Sequence, residues 1–377
     1  MKNILLMNKI AACGTSRFGE GYTVSDSVAS PDGIMVRSAN LLETTFDPSL
    51  EAIARAGAGV NNIPCDRCAE EGIVVFNTPG ANANAVKELT ICALLLASRD
   101  IVAGSAWTAT LDGHELGVAK AVEKGKSSFG GCEILGKTLG VVGFGAIGRL
   151  VADAAKALGM NVIAYDAFPI KNPTVTVCET SDELLAAADY ITLHIPSLPS
   201  TKGFLNAAAF AKMKDGVRII NLARGDLAVN DDLKAAIASG KVKKYVTDFP
   251  SEDLIHAEGV VCLPHLGAST EEAEDNCAMM AADELKDFLE NGNIRNSVNY
   301  PALTAERKGG KRICLLCAGD APESADEIAK AAGLSAYTAQ QAVNGKKTAA
   351  YVIIDTDEEA NTEALKALSY VRRVLVK

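Results

Sequence analysis

Arg224, Glu252 and His265 have the side-chain types that oxidation of an alcohol beside a carboxylate requires, and they follow one another in the second half of a 377-residue chain. A guanidinium can grip that carboxylate in two-pronged fashion. An imidazole, with its pKa near neutrality, can take the hydroxyl proton. A carboxylate behind the imidazole raises its pKa and stabilises the imidazolium formed as hydride leaves, and Glu252 is expected to fill this place. Taken singly, each residue reads more simply as structure: a surface salt bridge for Arg224 or Glu252, a core histidine for His265. The set gains meaning from what precedes it.

Gly143-Phe144-Gly145-Ala146-Ile147-Gly148 follows the apolar run Thr138-Leu139-Gly140-Val141-Val142 and opens a helical segment, Arg149–Leu158. This strand-turn-helix context is what a dinucleotide phosphate turn needs. The first glycine permits the tight turn, the second lets backbone approach the pyrophosphate, and the third allows close helix packing. The pyrophosphate then sits beside Ala146 and Ile147 at the positive end of the helix. Asp166 ends the next strand, 23 positions after Gly143. A carboxylate there accepts hydrogen bonds from ribose hydroxyls and repels a 2′-phosphate, which favours NAD over NADP. Arg224 follows a strand too, so its cation is expected at the carboxyl end of a sheet, where ligands bind in open α/β folds.

Holding these residues takes more than one sheet, and the chain is too long for a single ordinary core. From Ile4 to about Val75, short apolar runs (Gly33–Arg37, Leu50–Ala56, Gly72–Phe76) alternate with helical segments, which implies a parallel sheet. A helix over about Ala85–Ser98 leads away from it. A second alternating series runs through Thr138–Val142, Asn161–Tyr165, Tyr190–His194, Arg218–Asn221 and Lys244–Thr247. Another helix, Glu271–Glu290, can return the chain to the first unit. The tail reads strand (Arg312–Cys317), helix (Ser324–Ala332), strand (Ala336–Val343), turn (Asn344-Gly345), strand (Ala349–Ile354), helix (Glu358–Val371) and strand (Arg372–Val376). That order is a ferredoxin-like β-α-β-β-α-β unit. The expected fold is therefore α/β, with two Rossmann-like doubly wound parallel-sheet domains and a C-terminal α+β domain. The substrate domain is discontinuous over 1–95 and 271–300, the NAD-binding domain spans 96–270, and the ferredoxin-like domain spans 308–377.

A net charge of -10 would repel a nucleic-acid polyanion or an anionic membrane. Neither is an expected partner, and an anionic substrate must be met by a few placed cations. The apolar run at the N-terminus is too short for a signal peptide, and the longest run, near Leu89–Ala97, suits a buried helix better than a membrane span. A cytoplasmic protein is expected. The ten cysteines are scattered and read as reduced thiols. Cys65/Cys68 and Cys314/Cys317 have the C-x-x-C spacing of metal sites. They fall in different domains, however, and the second pair lies on an expected strand, where positions three apart face opposite sides, so no metal is expected.

With these motifs in view, the chain resembles the D-isomer-specific 2-hydroxyacid dehydrogenases over roughly Gly33–Pro301. Arg55–Asn62, containing Ala58, Gly59 and Val60, and Asn77–Gly80 resemble the family's substrate-domain loops. His194-Ile195-Pro196 resembles a cofactor-side loop. The resemblance implies catalytic Arg224, Glu252 and His265, an NAD site that also uses Ala223 and Asp248, an active site in the cleft between two domains, and a homodimer or homotetramer. The family pattern places an aspartate five positions before the glutamate; here that position is Thr247, and Asp248 comes one later. Val36-Arg37-Ser38 resembles the phosphate loop of members that oxidise D-3-phosphoglycerate to 3-phosphohydroxypyruvate, the step committed toward serine, with Arg37, Ser38 and Asn82 as phosphate-side contacts. The tail resembles ACT regulatory domains. Cys317-Ala318-Gly319-Asp320 fills its first strand-helix turn without the His-x-Asn pattern of the serine-binding type, so an amino-acid effector is left open. The alternatives are a relative acting on glycerate, lactate or a similar acid, and an inactive NAD- or amino-acid-sensing protein.

Overall fold

The computed structural model describes residues 1–171, 173–319, 321, 324–345 and 348–377. They divide into two compact units, Met1–Asn82 with Glu271–Lys377, and Ala83–Thr270.

The first unit is built on a five-stranded parallel sheet, β1 (Lys2–Leu6), β2 (Tyr22–Ser25), β3 (Gly33–Val36), β4 (Ala52–Arg55) and β5 (Val74–Phe76), in the order β2-β1-β3-β4-β5. Its central strands β3 and β4 are apolar up to Arg55 because both faces are covered, as parallel sheets require. Ile34, Val36, Ile53 and Val75 pack on one side with Leu41 and Leu50. Ile4, Met35, Ala54 and Phe76 meet Leu285 and Phe288 of the helix Glu271–Asn291 on the other.

In the second unit a seven-stranded sheet has the order β12-β11-β10-β9-β6-β7-β8. It comprises β6 (Thr138–Val142), β7 (Asn161–Tyr165), β8 (Thr176–Val177), β9 (Tyr190–Leu193), β10 (Val217–Asn221), β11 (Val242–Thr247) and β12 (Val260–Cys262). Every pairing is parallel. The chain moves outward from β6 through β7 to β8, then resumes on the other side of β6 with β9. This is the topological switch point beside which ligands bind in open α/β sheets. The helix Ala83–Ser98 belongs to this unit, since Ala93, Leu94 and Ala97 are buried with Leu139, Val141 and Ile220. No single helix among the described residues is long and apolar enough to cross a membrane.

The tail forms a four-stranded antiparallel sheet in the order β14-β15-β13-β16, made of β13 (Lys311–Ala318), β14 (Thr338–Val343), β15 (Ala349–Thr356) and β16 (Val371–Val376). Alternation along the strands gives it two apolar faces. Ile313, Leu315, Cys317, Val352 and Ile354 lie with Ile328 and Leu365 of the tail's helices. Cys314, Leu316, Tyr351 and Ile353 join the core of β1–β5. The C-x-x-C pair is thus split between faces, as strand geometry requires. The buried Arg312 grips Asp355 at 2.7 and 2.8 Å and donates to the carbonyls of Asn291 and Ala305, satisfying a charge that would be costly alone. The expected helix Glu358–Val371 is only Thr362–Lys366. The Glu358 carboxylate is instead held by the amide and hydroxyl of Ser335, and Asn361 caps the shorter helix. Asp320 lies outside the described residues.

Candidate active site

At the switch point the glycine turn is held by close contacts that only glycine tolerates. Gly143 has φ +93°, and a Cβ there would stand 2.6 Å from the His194 carbonyl oxygen; at Gly148 it would stand 2.1 Å from that of Gly143. Gly145 has open space where its side chain would be, and it caps the helix Ala146–Ala157, whose first turn carries Ala146, Ile147 and Gly148. Unpaired amides at such an end suit an anion. Asp166, at the end of β7, accepts from the amides of Phe144 at 2.7 Å and Phe168 at 3.0 Å, so its carboxylate sits beside the turn. These residues fit a dinucleotide: a bare glycine lets the backbone approach a pyrophosphate, and an acid stands where a ribose would lie. His194 follows β9 and shares a hydrogen bond with Thr192 at 3.0 Å; burial pushes its pKa down to about 4 and keeps it neutral. Pro196 is tied by the Thr201 hydroxyl, which donates to its carbonyl at 2.6 Å.

Beyond β10, Asn221 fixes the turn that presents Arg224. Its buried carboxamide oxygen accepts from the amides of Ala223 at 3.2 Å and Arg224 at 3.4 Å. Its nitrogen donates to the Arg224 carbonyl and to the Tyr245 hydroxyl, each at 2.9 Å. The Arg224 guanidinium is left exposed, donating to Ala223 O at 2.6 Å. Nothing in the sequence pattern singled out Asn221; a polar residue ending an apolar strand just before the cation is the only trace. Asn221→Leu should cost about 1–3 kcal/mol in urea denaturation, because it strands two amides and a hydroxyl, and it should weaken kcat/KM by loosening Arg224.

The imidazole has a different carboxylate from the one expected. His265 Nδ1 lies 3.2 Å from Oδ2 of Asp248, whose side chain is fully buried. Neither Asp248 oxygen has a well-aligned donor, so this is an ion-pair contact short of a linear hydrogen bond, as is common before substrate tightens a site. Asp248 raises the His265 pKa above its ordinary value, against desolvation and the nearby Arg224 charge. Phe249 backs the ring, with centroids 4.8 Å apart, and also abuts Gly225. Glu252 is exposed, and no hydrogen bond or ion pair joins it to His265. Its neighbours explain this: Ser251 and Asp253 are held by Asn230, and Asp253 also by Lys234, which turns the loop outward. The carboxylate that faces His265 in this structure is thus that of Asp248, where Glu252 was expected.

In the first unit, the Asn8 carboxamide oxygen accepts from the successive amides of Arg37, Ser38 and Ala39 at 2.8, 2.9 and 3.0 Å, fixing the loop after β3. Asn62 donates to Ala39 O at 2.7 Å. Asn77 donates to the Ala58 carbonyl at 2.6 Å, steadying the loop that continues through Gly59 and Val60. Asn82 ends this part of the chain in a turn. Arg37 and Ser38 thus share one pinned loop, whereas Asn8 carried no sequence signal.

A glycine turn at the switch point of a doubly wound sheet, with an acid after the next strand, defines a dinucleotide-binding protein of the Rossmann class. Residues 92–267 match the NAD-binding domain of the D-isomer specific 2-hydroxyacid dehydrogenase family. The chain is 35% identical to the D-3-phosphoglycerate dehydrogenase of Methanocaldococcus jannaschii over 78% of this chain and 56% of that protein. With the rat protein of the same name it shares 35% identity over 73% of this chain and 52% of the other. The chain therefore spans about half the length of the curated relatives it matches. Among solved structures, the NAD+-bound 3-phosphoglycerate dehydrogenase of Entamoeba histolytica is similar with a TM-score of 0.63 and 26% identity, over 80% of this chain and 99% of that one.

Proposed function

We propose that this protein oxidises D-3-phosphoglycerate to 3-phosphohydroxypyruvate with NAD, and runs the reverse reduction. The observation that carries this reading is the grouping of Arg224 and the His265–Asp248 pair in the unit that holds the glycine turn. The likeness to proteins named D-3-phosphoglycerate dehydrogenase supports the substrate.

Arg224 holds the substrate carboxylate in two-pronged fashion and polarises the forming carbonyl. His265 takes the C2 hydroxyl proton at the ring nitrogen that does not face Asp248, while Asp248 fixes the tautomer and stabilises the resulting imidazolium. NAD, when bound, accepts the hydride that leaves C2. Gly143, Gly145 and Gly148 with the amides of Ala146 and Ile147 bind the pyrophosphate, Asp166 the adenosine ribose, and Ala223, His194 and Pro196 lie toward the nicotinamide. Arg37 and Ser38 read the phosphate, with Ala58, Gly59, Val60 and Asn82 lining the substrate side. The tail, with its β-α-β-β-α-β order, serves as an ACT-type assembly domain in a homo-oligomer.

Following NADH absorbance with 3-phosphoglycerate, D-glycerate and D-lactate, and with the keto acids in reverse, tests the reading. Only the phosphorylated pair should turn over efficiently. Arg37→Ala should raise KM for it by about tenfold or more while kcat changes little, since a lost charge-assisted contact is worth about 1.5–3 kcal/mol. Preference for an unphosphorylated acid would keep the family and discard the substrate.

A further inference from the structure

The cation expected to read the phosphate already has a partner. Arg37 Nη2 lies 2.7 Å from Oε1 of Glu274, in the first turns of the helix Glu271–Asn291. Asn8 pins the backbone on both sides of the Arg37 carbonyl, and that carbonyl accepts from Arg55 Nε at 3.1 Å. The backbone of the loop is thus tied in place, whereas the guanidinium and the Glu274 carboxylate are both partly exposed. Cys277, one turn along the helix, feels the charges of Arg37, Arg55 and Glu274 together, which places all three in one locale.

We propose that Glu274 is a specificity residue of this site: it occupies Arg37 in the free protein and is displaced by a phosphoryl group but not by a singly charged or neutral one. The inference rests on Arg37 as the phosphate reader. An intramolecular carboxylate is always at hand, so a ligand carboxylate offers Arg37 nothing it lacks. A phosphoryl group brings close to two negative charges and three acceptor oxygens, more than the single charge that Glu274 offers Arg37. Arg37 and Glu274 are 39% and 42% exposed, so the pair is weak and exchangeable. Its effect is a tax on anion affinity, severalfold in size, which falls hardest on anions that gain nothing from the rest of the site.

Glu274→Gln keeps the shape and removes the charge. It should lower KM for 3-phosphoglycerate about three- to tenfold, the effect of removing one nearby like charge at a partly exposed site. It should also strengthen competitive inhibition by inorganic phosphate by a similar factor. Calorimetric titration of inorganic phosphate into wild type, Glu274→Gln, Arg37→Ala and the double variant reads the same pair without any turnover. Tighter phosphate binding in Glu274→Gln, abolished in Arg37→Ala/Glu274→Gln, supports the proposal. Unchanged or weaker phosphate binding, or a raised KM, overturns it and makes Glu274 a support for Arg37. If Arg37→Ala alone leaves KM for 3-phosphoglycerate unaltered, the phosphate reading of Arg37 is what fails.

Discussion

Replacing His265 with asparagine should lower kcat by about 10²–10⁴ in both directions, the usual worth of a positioned general acid-base, while folding and NAD binding persist. The ring is 63% exposed, so its removal leaves no buried cavity and no large loss of stability. Arg224 would still hold the carboxylate, so KM should move far less than kcat, the pattern of an interaction made mainly in the transition state. The pH dependence gives an independent check. Oxidation needs His265 neutral, so the wild-type rate should rise with pH through a pKa above the ordinary histidine value. Reduction needs it protonated and should fall through the same pKa. The asparagine variant should lose both limbs. Steady-state kinetics across pH, paired with NAD titration, measures this; a kcat within tenfold of wild type would remove His265 from the role of base.

The parts of this protein that were legible in the sequence are those with a period or a geometric necessity behind them. Strands Thr138–Val142 and Asn161–Tyr165 are found where apolar runs placed them: the first is buried on both faces and the second on the face of Val162 and Ala164, which leaves little freedom in composition. The glycine turn was legible because Gly143 and Gly148 sit where no side chain fits. Other features depend on which way a side chain turns once the chain has folded. Asn8 and Asn221 each clamp consecutive amides, yet a lone asparagine in a loop has no periodicity to betray it. The helix Ala83–Ser98 was readable as a helix, but its allegiance to the second unit follows from packing against residues such as Leu139 and Ile220, far away in sequence. The choice between Asp248 and Glu252 is of the same kind. Counting along the motif favoured Glu252, whereas the ties of Ser251 and Asp253 to Asn230 turn that part of the loop to solvent.

Asp248→Asn, set against Glu252→Gln, tests that choice. An isosteric amide at 248 keeps the packing beneath Gly267 but removes the charge facing Nδ1, and it can present the wrong hydrogen-bonding group to the ring. Loss of tautomer control and of imidazolium stabilisation in a comparable aspartate-histidine pair costs up to about 10⁴ in kcat, and a loss of about 10² or more is expected here. The sign of the pH effect follows from the charge. Asp248 raises the folded-state pKa of His265, so its removal should move the acid limb of oxidation to lower pH. The same linkage acts on stability: a raised histidine pKa stabilises the fold below the ordinary histidine pKa, and that contribution is lost as pH rises through the folded value. With an exposed ring the contribution is small, but in Asp248→Asn its pH dependence should vanish. Glu252→Gln should leave the limb in place, since no contact transmits its charge to the ring. If Glu252→Gln shifts the limb and Asp248→Asn does not, the loop must rearrange when substrate binds, and the carboxylate that serves His265 in turnover is the one the motif spacing indicated.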